Sequence, residues 1–296
     1  MSRERRIDTA ALAVSIVSIA FSGPIIVAFS GPVLAIALWR NILGAAATIP
    51  FAFRQRAQLR ALSPKMWWYT FAAGVLLGMH FGTWIPSLRY TSIAASTALV
   101  ATQVVWAALI AFATGHRAPR AEWIGIGIAL IGTFVLTGID ISLDPDALFG
   151  DLLALAGAVA AAAYVVFGQR VRSVLPLSAY TSVVYVVAAL TLLVLCLVTG
   201  TQLVGFSVRD WWLIVAITVF AQLGGHSLMN MALRSFSATA VSLAILLEVP
   251  GATLLGWVWP GQTPPWELLP GAVLVLIGLV VVVRSSREPE GVDPNT

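Results

Sequence analysis

Turn residues and charges divide this chain of 296 residues into ten apolar runs, and that division constrains the fold more than any single motif does. The runs cover residues 9–29, 32–53, 66–87, 92–114, 121–138, 148–171, 178–199, 209–231, 236–258 and 266–284. A helix that crosses a bilayer needs about 20 apolar residues, so each run suffices for one crossing. Ten crossings leave short loops and no soluble domain. Inside hydrocarbon each segment must satisfy its own backbone hydrogen bonds, which makes these runs helices. The expected fold class is therefore an all-α membrane protein with ten transmembrane helices, acting within or across the bilayer.

Composition agrees: 59% of residues are hydrophobic and 10% are charged, against about 25% charged in soluble domains. Cys196 is the single cysteine, so an intrachain disulfide, a zinc ribbon or a CxxC redox pair cannot form. The net charge of +4 is not gathered into a basic face with aromatic neighbours, and no nucleic-acid partner is expected. The N-terminal "MSRERRIDTAALAVSIVSIAF" begins like a signal peptide, but no A-x-A type site follows and the apolar run lasts a full span. It is expected to remain as the first helix.

Lysine and arginine in short loops set orientation. Arg3, Arg5, Arg6, Arg54, Arg56, Arg60, Lys65, Arg117, Arg120, Arg170, Arg172, Arg234, Arg284 and Arg287 all fall on the side of the N-terminus. Arg89 and Arg209 fall on the other, with the acidic residues Asp140, Asp144, Asp146 and Asp151. Both termini are expected in the cytoplasm. Trp67, Trp68, Trp123, Trp211, Trp212, Trp257, Trp259 and Trp266 lie at predicted span ends, where indole rings anchor to the interface. Trp39 and Trp106 lie deeper.

Spans three to five repeat as spans eight to ten. At an offset of 145, Leu88-Arg89 meets Leu233-Arg234, Ser92 meets Ser237, Ala95 meets Ala240, Pro119 meets Pro264 and Glu122 meets Glu267. An odd number of crossings separates the copies, so they enter the membrane in opposite directions. Inverted repeats of this kind are the architecture of secondary transporters, with a substrate site near the midplane exposed to either side in turn. The expected fold is two inverted five-helix repeats, residues 1–144 and 145–288, followed by a cytoplasmic tail, 289–296.

The motifs "ALWRNILGA", "LRYTSIAASTALV", "LRSFSATAVSLAILLEVPGATLLGW" and "GDLLALAGAVAAAAYVVFGQRV" resemble the drug/metabolite transporter superfamily in its ten-helix form, with two EamA-type halves. The resemblance extends from about residue 9 to 284. Within the superfamily the chain is most similar to bacterial exporters of aromatic and other amino acids. The resemblance implies a multi-pass protein of the bacterial inner membrane that exports small molecules, amino acids among them. A drug or a nucleotide sugar is the alternative cargo, and a passive channel or scaffold the alternative class. No HExxH, paired acids or Gly-x-Ser-x-Gly occurs, so neither an enzyme nor a bound cofactor or metal is expected.

Polar residues deep in the spans carry the functional reading, because an ionised group at the bilayer centre costs at least about 2.5–3.5 kcal/mol. The set is Arg40, His80, Gln103, Gln169, Gln222, His226, Asn230 and Glu248. At about 1.5 Å per residue, Arg40 and Glu248 lie about 12 and 14 Å below the outer surface and can be level. Three readings follow: a structural Arg40–Glu248 bridge, a pair facing the cavity to hold a zwitterionic substrate or a coupling proton, or a Glu248 kept neutral by burial. Gln103 occupies the position of Glu248 in the first repeat. His80 points away from the Gly74, Gly78, Gly82 face, which suits close helix packing. With His226 it is a candidate cavity residue. Tyr164 and Trp106, and Trp39 with less support, are candidates to stack on an apolar cargo. Pro24, Pro250 and Gly251 interrupt spans one and nine and are candidate hinges. Gly125, Gly132, Gly271 and Gly278 suit packing within the chain or against a second copy, leaving monomer and weak dimer open.

Overall fold

The computed structural model describes residues 3–91, 93–115, 118–137, 144–248, 251 and 269–285. All regular structure among them is helical, in the order α1 (Arg3–Ala20), α2 (Ser22–Ala28), α3 (Val33–Phe53), α4 (Arg56–Arg60), α5 (Pro64–Ser87), α6 (Ile93–Ala101) and α7 (Gln103–Ala113). There follow α8 (Arg120–Thr137), α9 (Pro145–Arg172), α10 (Leu177–Val198), α11 (Val208–Ile217), a π-helical stretch Thr218–Ser227, α12 (Leu228–Ala232), α13 (Ala238–Ile245) and α14 (Leu269–Ser285). Among the described residues, five helical stretches are long and apolar enough to cross a membrane: Arg3–Ala28, Val33–Phe53, Pro145–Arg172, Leu177–Val198 and Val208–Ala232. Large apolar side chains such as Phe53, Leu152, Leu197 and Val208 point outward, as a lipid-facing surface requires. This is a multi-pass membrane protein.

Small residues decide which helices touch. The stripe Gly74, Gly78, Gly82 on α5 lies against α10: a Cβ on Gly74 would meet Val187 at 2.6 Å, and one on Gly78 would meet the Ala188 carbonyl at 3.0 Å. The glycine face of span three is thus a packing seam. On α8 and α14, Gly125 faces the Gly278 carbonyl and Gly132 the Gly271 carbonyl, at 2.8 and 2.7 Å from a built Cβ. These four glycines pack within the chain. Gly224 and Gly225 in the π stretch meet Ser18 and Ile19 of α1.

Helices that correspond by the repeat also correspond in packing. α3 lies on α10, α8 on α14, and α7 on α13. The α5–α9 pair has its counterpart in the contact of α1 with the π stretch and α12.

Helix ends carry the polar locks. Ser63, Ser207 and Ser237 cap α5, α11 and α13 by accepting the N–H of Met66, Asp210 and Ala240. Asp8, fully buried near the start of α1, is paired with Arg234 at 3.3 Å and accepts the Ser235 hydroxyl. At the opposite end of the helices, Asp210 accepts the Ser30 hydroxyl at 2.9 Å and the Ser207 hydroxyl at 2.8 Å.

The first span is interrupted at Phe21, between α1 and α2. Pro24 accounts for the place: it has no N–H to offer the Ala20 carbonyl, which weakens the helix there, and it falls in the first turn of α2 where no donor is missed. Spans four and nine are interrupted at Thr102 and at Leu246–Leu247, at the same repeat position. Pro250 lies outside the described residues. Gly251 donates its N–H to Leu247 at 3.1 Å, and a Cβ there would meet Ala20 at 3.1 Å, so it packs against the end of α1.

Candidate functional site

A cavity lies between the helices, and six of the seven predicted cavity residues line it: Arg40, His80, Gln103, Tyr164, His226 and Glu248. The walls come from both repeats: α2, α3, α5, α6 and α7 on one side, α9, the π stretch, α12, α13 and Glu248 on the other, with Ile19 of α1. Trp106 is a correction. It packs against the main apolar core instead of lining the cavity. Trp39 is another: its indole N–H donates to the Leu203 carbonyl at 2.8 Å and its ring meets Trp211 edge-on at 5.0 Å, an anchor at the helix end.

Arg40 is 1% exposed and held from one side only. Its Nε donates to Oε1 of Gln222 at 2.7 Å, Nε2 of Gln222 donates to Oδ1 of Asn41 at 3.0 Å, and Nδ2 of Asn41 donates to the Ala37 carbonyl at 2.8 Å. The guanidinium carbon stands 4.3 Å from the centre of the Phe81 ring, a cation–π arrangement. Nη1 and Nη2 have no hydrogen-bond partner. Glu248 lines the same cavity, half-buried, and does not form a salt bridge with Arg40. The structural bridge is therefore not made in this conformation.

His80 approaches the Gly157 carbonyl through Nδ1 at 3.0 Å. A carbonyl only accepts, so Nδ1 carries the proton and a neutral ring keeps Nε2 as an acceptor. The ring stacks on Trp84 at 5.5 Å and 7°, and the Trp84 indole N–H is unpartnered. Gly157 makes this approach possible, since a Cβ there would meet Trp84 at 3.0 Å. His226 stands edge-on to Phe81 at 5.2 Å, and its Nδ1 is likewise unpartnered. Tyr164 accepts from Nδ2 of Asn230 at 2.5 Å. Gln169 is not part of this cluster and accepts the Ala238 N–H at 3.2 Å.

The space available to water centres in this cavity is about 50 Å³, room for about three to five waters. Sites for small organic ligands run to about 300–1,000 Å³, so the walls are drawn in around the polar cluster.

Sequence reasoning placed Gln222 among the deep polar residues without a partner, and gave Phe81 and Trp84 no role. Trp84 was open to inference, because it follows His80 by four residues and so shares its helix face. The π stretch carries both Gln222 and His226. Holding about one more residue per turn than an α-helix, it turns these two side chains to positions that α-helical spacing does not give. The Gly224-Gly225 doublet is its only sequence signal.

The EamA-like transporter family matches residues 9–138 and 148–284, two segments that together span nearly the whole chain. The chain belongs to the EamA-like transporter family. Among curated relatives it is 23% identical over 259 residues, 86% of each chain, to the uncharacterized transporter YwfM of Bacillus subtilis. It is 25% identical over 177 residues, 58% of this chain and 59% of the relative, to the pseudopaline exporter CntI of Pseudomonas aeruginosa. One solved structure, described only as a crystal structure of a protein, superposes with a TM-score of 0.77 at 20% identity, covering 97% of this chain and 99% of that one. Members of this family are transporters, which act on small molecules in a lipid bilayer.

Proposed function

We propose that this EamA-like transporter exports amino acids, aromatic ones included, across the bacterial inner membrane by alternating access. In this reading ten helices form two inverted repeats, residues 1–144 and 145–288, with both termini and the tail 289–296 in the cytoplasm. Fourteen basic residues on the N-terminal side against two on the other support the orientation. The matched packing of α3 on α10, α8 on α14 and α7 on α13 supports the repeat.

The observation that carries the substrate class is a cavity lined by a buried cation, Arg40, and an acid, Glu248, that do not pair with each other. Such a site suits a cargo bearing both charges, with apolar walls and the rings of Phe81, Trp84 and Tyr164 for its side chain. Alternating access supplies the missing volume: one half moves against the other to admit the cargo from one side and release it on the other. Glu248 and the two histidines are the groups through which a proton could be coupled. The name of the relative CntI favours a second reading, in which the cargo is another metabolite.

Counterflow in proteoliposomes tests this with a panel of labelled amino acids. Saturable exchange of phenylalanine, tyrosine or tryptophan is expected. Folded protein that exchanges other metabolites and no amino acid would leave the transporter in place and remove the cargo assigned to it.

A further inference from the structure

We propose that the central cavity is a carboxylate receptor in which Nη1 and Nη2 of Arg40 take the cargo's carboxylate, in an orientation locked by Gln222 and Asn41. This rests on the reading that the cavity holds the cargo, and adds which atoms do so and which chemical group they require.

An arginine side chain has five N–H donors. Here one, on Nε, is used, and the two terminal nitrogens have no acceptor although the residue is 1% exposed. An unsatisfied buried donor is costly, and most so on a charged group. Native interiors rarely keep one without a reason. A planar carboxylate matches the Nη1–Nη2 edge in a two-point contact, shorter and stronger than neutral hydrogen bonds. Glu248 does not supply it, since no salt bridge joins the two.

The orientation of that edge is fixed by a one-way donor chain. Arg40 donates to Gln222, Gln222 to Asn41, and Asn41 to the Ala37 carbonyl. Flipping the Gln222 amide would set its NH2 against the Arg40 Nε–H and take the donor away from Oδ1 of Asn41. The amide therefore has one stable orientation, and the Nη edge is preorganised before any ligand arrives, which lowers the ordering cost of binding. Phe81 below the guanidinium plane restrains it further.

Charge balance selects among anions. With Arg40 positive, and Glu248 able to ionise against the cargo's ammonium group, an α-amino acid zwitterion completes two opposite pairs and adds no net charge. A phosphate or phosphonate shares the affinity for arginine but brings a second negative charge into a poorly hydrated site beside Glu248, where unpaired charge is expensive.

The test is binding to the purified full chain in nanodiscs by thermal shift and titration calorimetry. The panel comprises phenylalanine, phenylalaninamide, 2-phenylethylamine, 3-phenylpropionate, the aminophosphonate analogue of phenylalanine, and the free acid and amide of aliphatic amino acids. Free acids are expected to bind about 10- to 100-fold tighter than their amides, the scale of losing a charge-assisted contact. Arg40→Lys keeps the charge and loses the fork. It should weaken the acids by about tenfold or more while changing the amides and amines by less than about threefold. Gln222→Leu should shift the same way by less. The comparison of acid with amide on the unaltered protein stands even if a variant does not fold. Amides that bind as tightly as acids, a phosphonate that binds tighter than its carboxylate, or no shift with any carboxylate would each overturn the proposal. If simple carboxylates bind and no amino acid does, the Arg40 receptor stands and the amino-acid reading falls.

Discussion

Spans four and nine hold matching places in the two segments that match the family, and they differ where chemistry is concerned and agree, over their described residues, in where the helix is interrupted. Read from sequence, span nine has two peculiarities, an acid and a proline, and span four has neither. In the structure both are interrupted at the same repeat position: at Thr102, one residue before Gln103, and at Leu246–Leu247, just before Glu248. The interruption closes alike in each. Thr102 donates its N–H to Leu99 at 3.1 Å, and Leu246 and Leu247 donate to Leu243 and Ala244 at 3.1 Å each, the tight i→i−3 pattern of a 3₁₀ turn. Thr102 adds a bond from its hydroxyl to the Leu99 carbonyl at 2.6 Å. The break is therefore a feature of the position in the repeat, reached with or without a proline. The acid is what only one half has.

Making span nine a chemical copy of span four should have the largest effect. Glu248→Gln keeps the shape and removes the charge. Counterflow of a zwitterionic cargo is expected to fall by about 10- to 100-fold, the scale of one charge-assisted contact. Gln103→Leu should cost less than about fivefold. In the exchanged pair, Gln103→Glu with Glu248→Gln, recovery of transport would mean that the cavity needs an acid on either inverted helix. Unchanged transport in Glu248→Gln alone would remove Glu248 from the site.

A second matched pair differs between the two ends of the molecule. "IDTAALA" at residues 7–13 and "GDLLALA" at 150–156 set Asp8 against Asp151, and the repeat sets Arg234 against Arg89. Asp8 is paired with Arg234, whereas Oδ1 of Asp151 has no partner and Arg89 is exposed. Arg234→Ala leaves a fully buried carboxylate with the Ser235 hydroxyl and no cation, and should cost about 1–2 kcal/mol. This is less than the full value for a buried pair, because Arg234 itself is 42% exposed. Arg89→Ala should stay within about 0.5 kcal/mol. Equal losses in denaturant melts of the two variants would show that the two ends are energetically alike.

Much of this was legible in the sequence because it depends on period and composition. The apolar runs, the glycine seam on α5 and the repeat of spans three to five as eight to ten are one-dimensional signals. So is the membership of Arg40, His80, Gln103, Tyr164, His226 and Glu248 in one cluster, since hydrocarbon leaves few places for buried polar side chains. What was illegible depends on how a helix is wound. The π stretch changes the direction of Gln222 without changing the count of residues, so its bond to Arg40 could not be read from spacing. Trp106 satisfies the same depth rule as its neighbours yet faces the core, because depth fixes height in the membrane and not azimuth. The match of Asp8 with Asp151 rests on four identities in seven residues, too few to single out among apolar helices until the packing of α1 on the π stretch and α12, and of α9 on α5, gives the two helices matching places.

The smallest effect is expected where the sequence drew most attention. As a proline, residue 250 has no N–H for the Leu246 carbonyl, which makes it the apparent cause of the interruption in span nine. The neighbouring turn is nevertheless closed by Leu246 and Leu247 donating to Leu243 and Ala244, the arrangement that span four attains at Thr102 without a proline. Restoring one N–H beside a turn that is already satisfied gains little. Pro250→Ala is thus expected to change counterflow by less than about twofold and stability by about 0.5 kcal/mol or less. Thr102→Val should cost slightly more, about 0.5–1.5 kcal/mol, because it deletes a hydrogen bond that is made. If Pro250→Ala abolishes transport at unchanged stability, the two interruptions are not equivalent. Proline would then be the working part of span nine, and the resemblance in shape to span four a coincidence of one conformation.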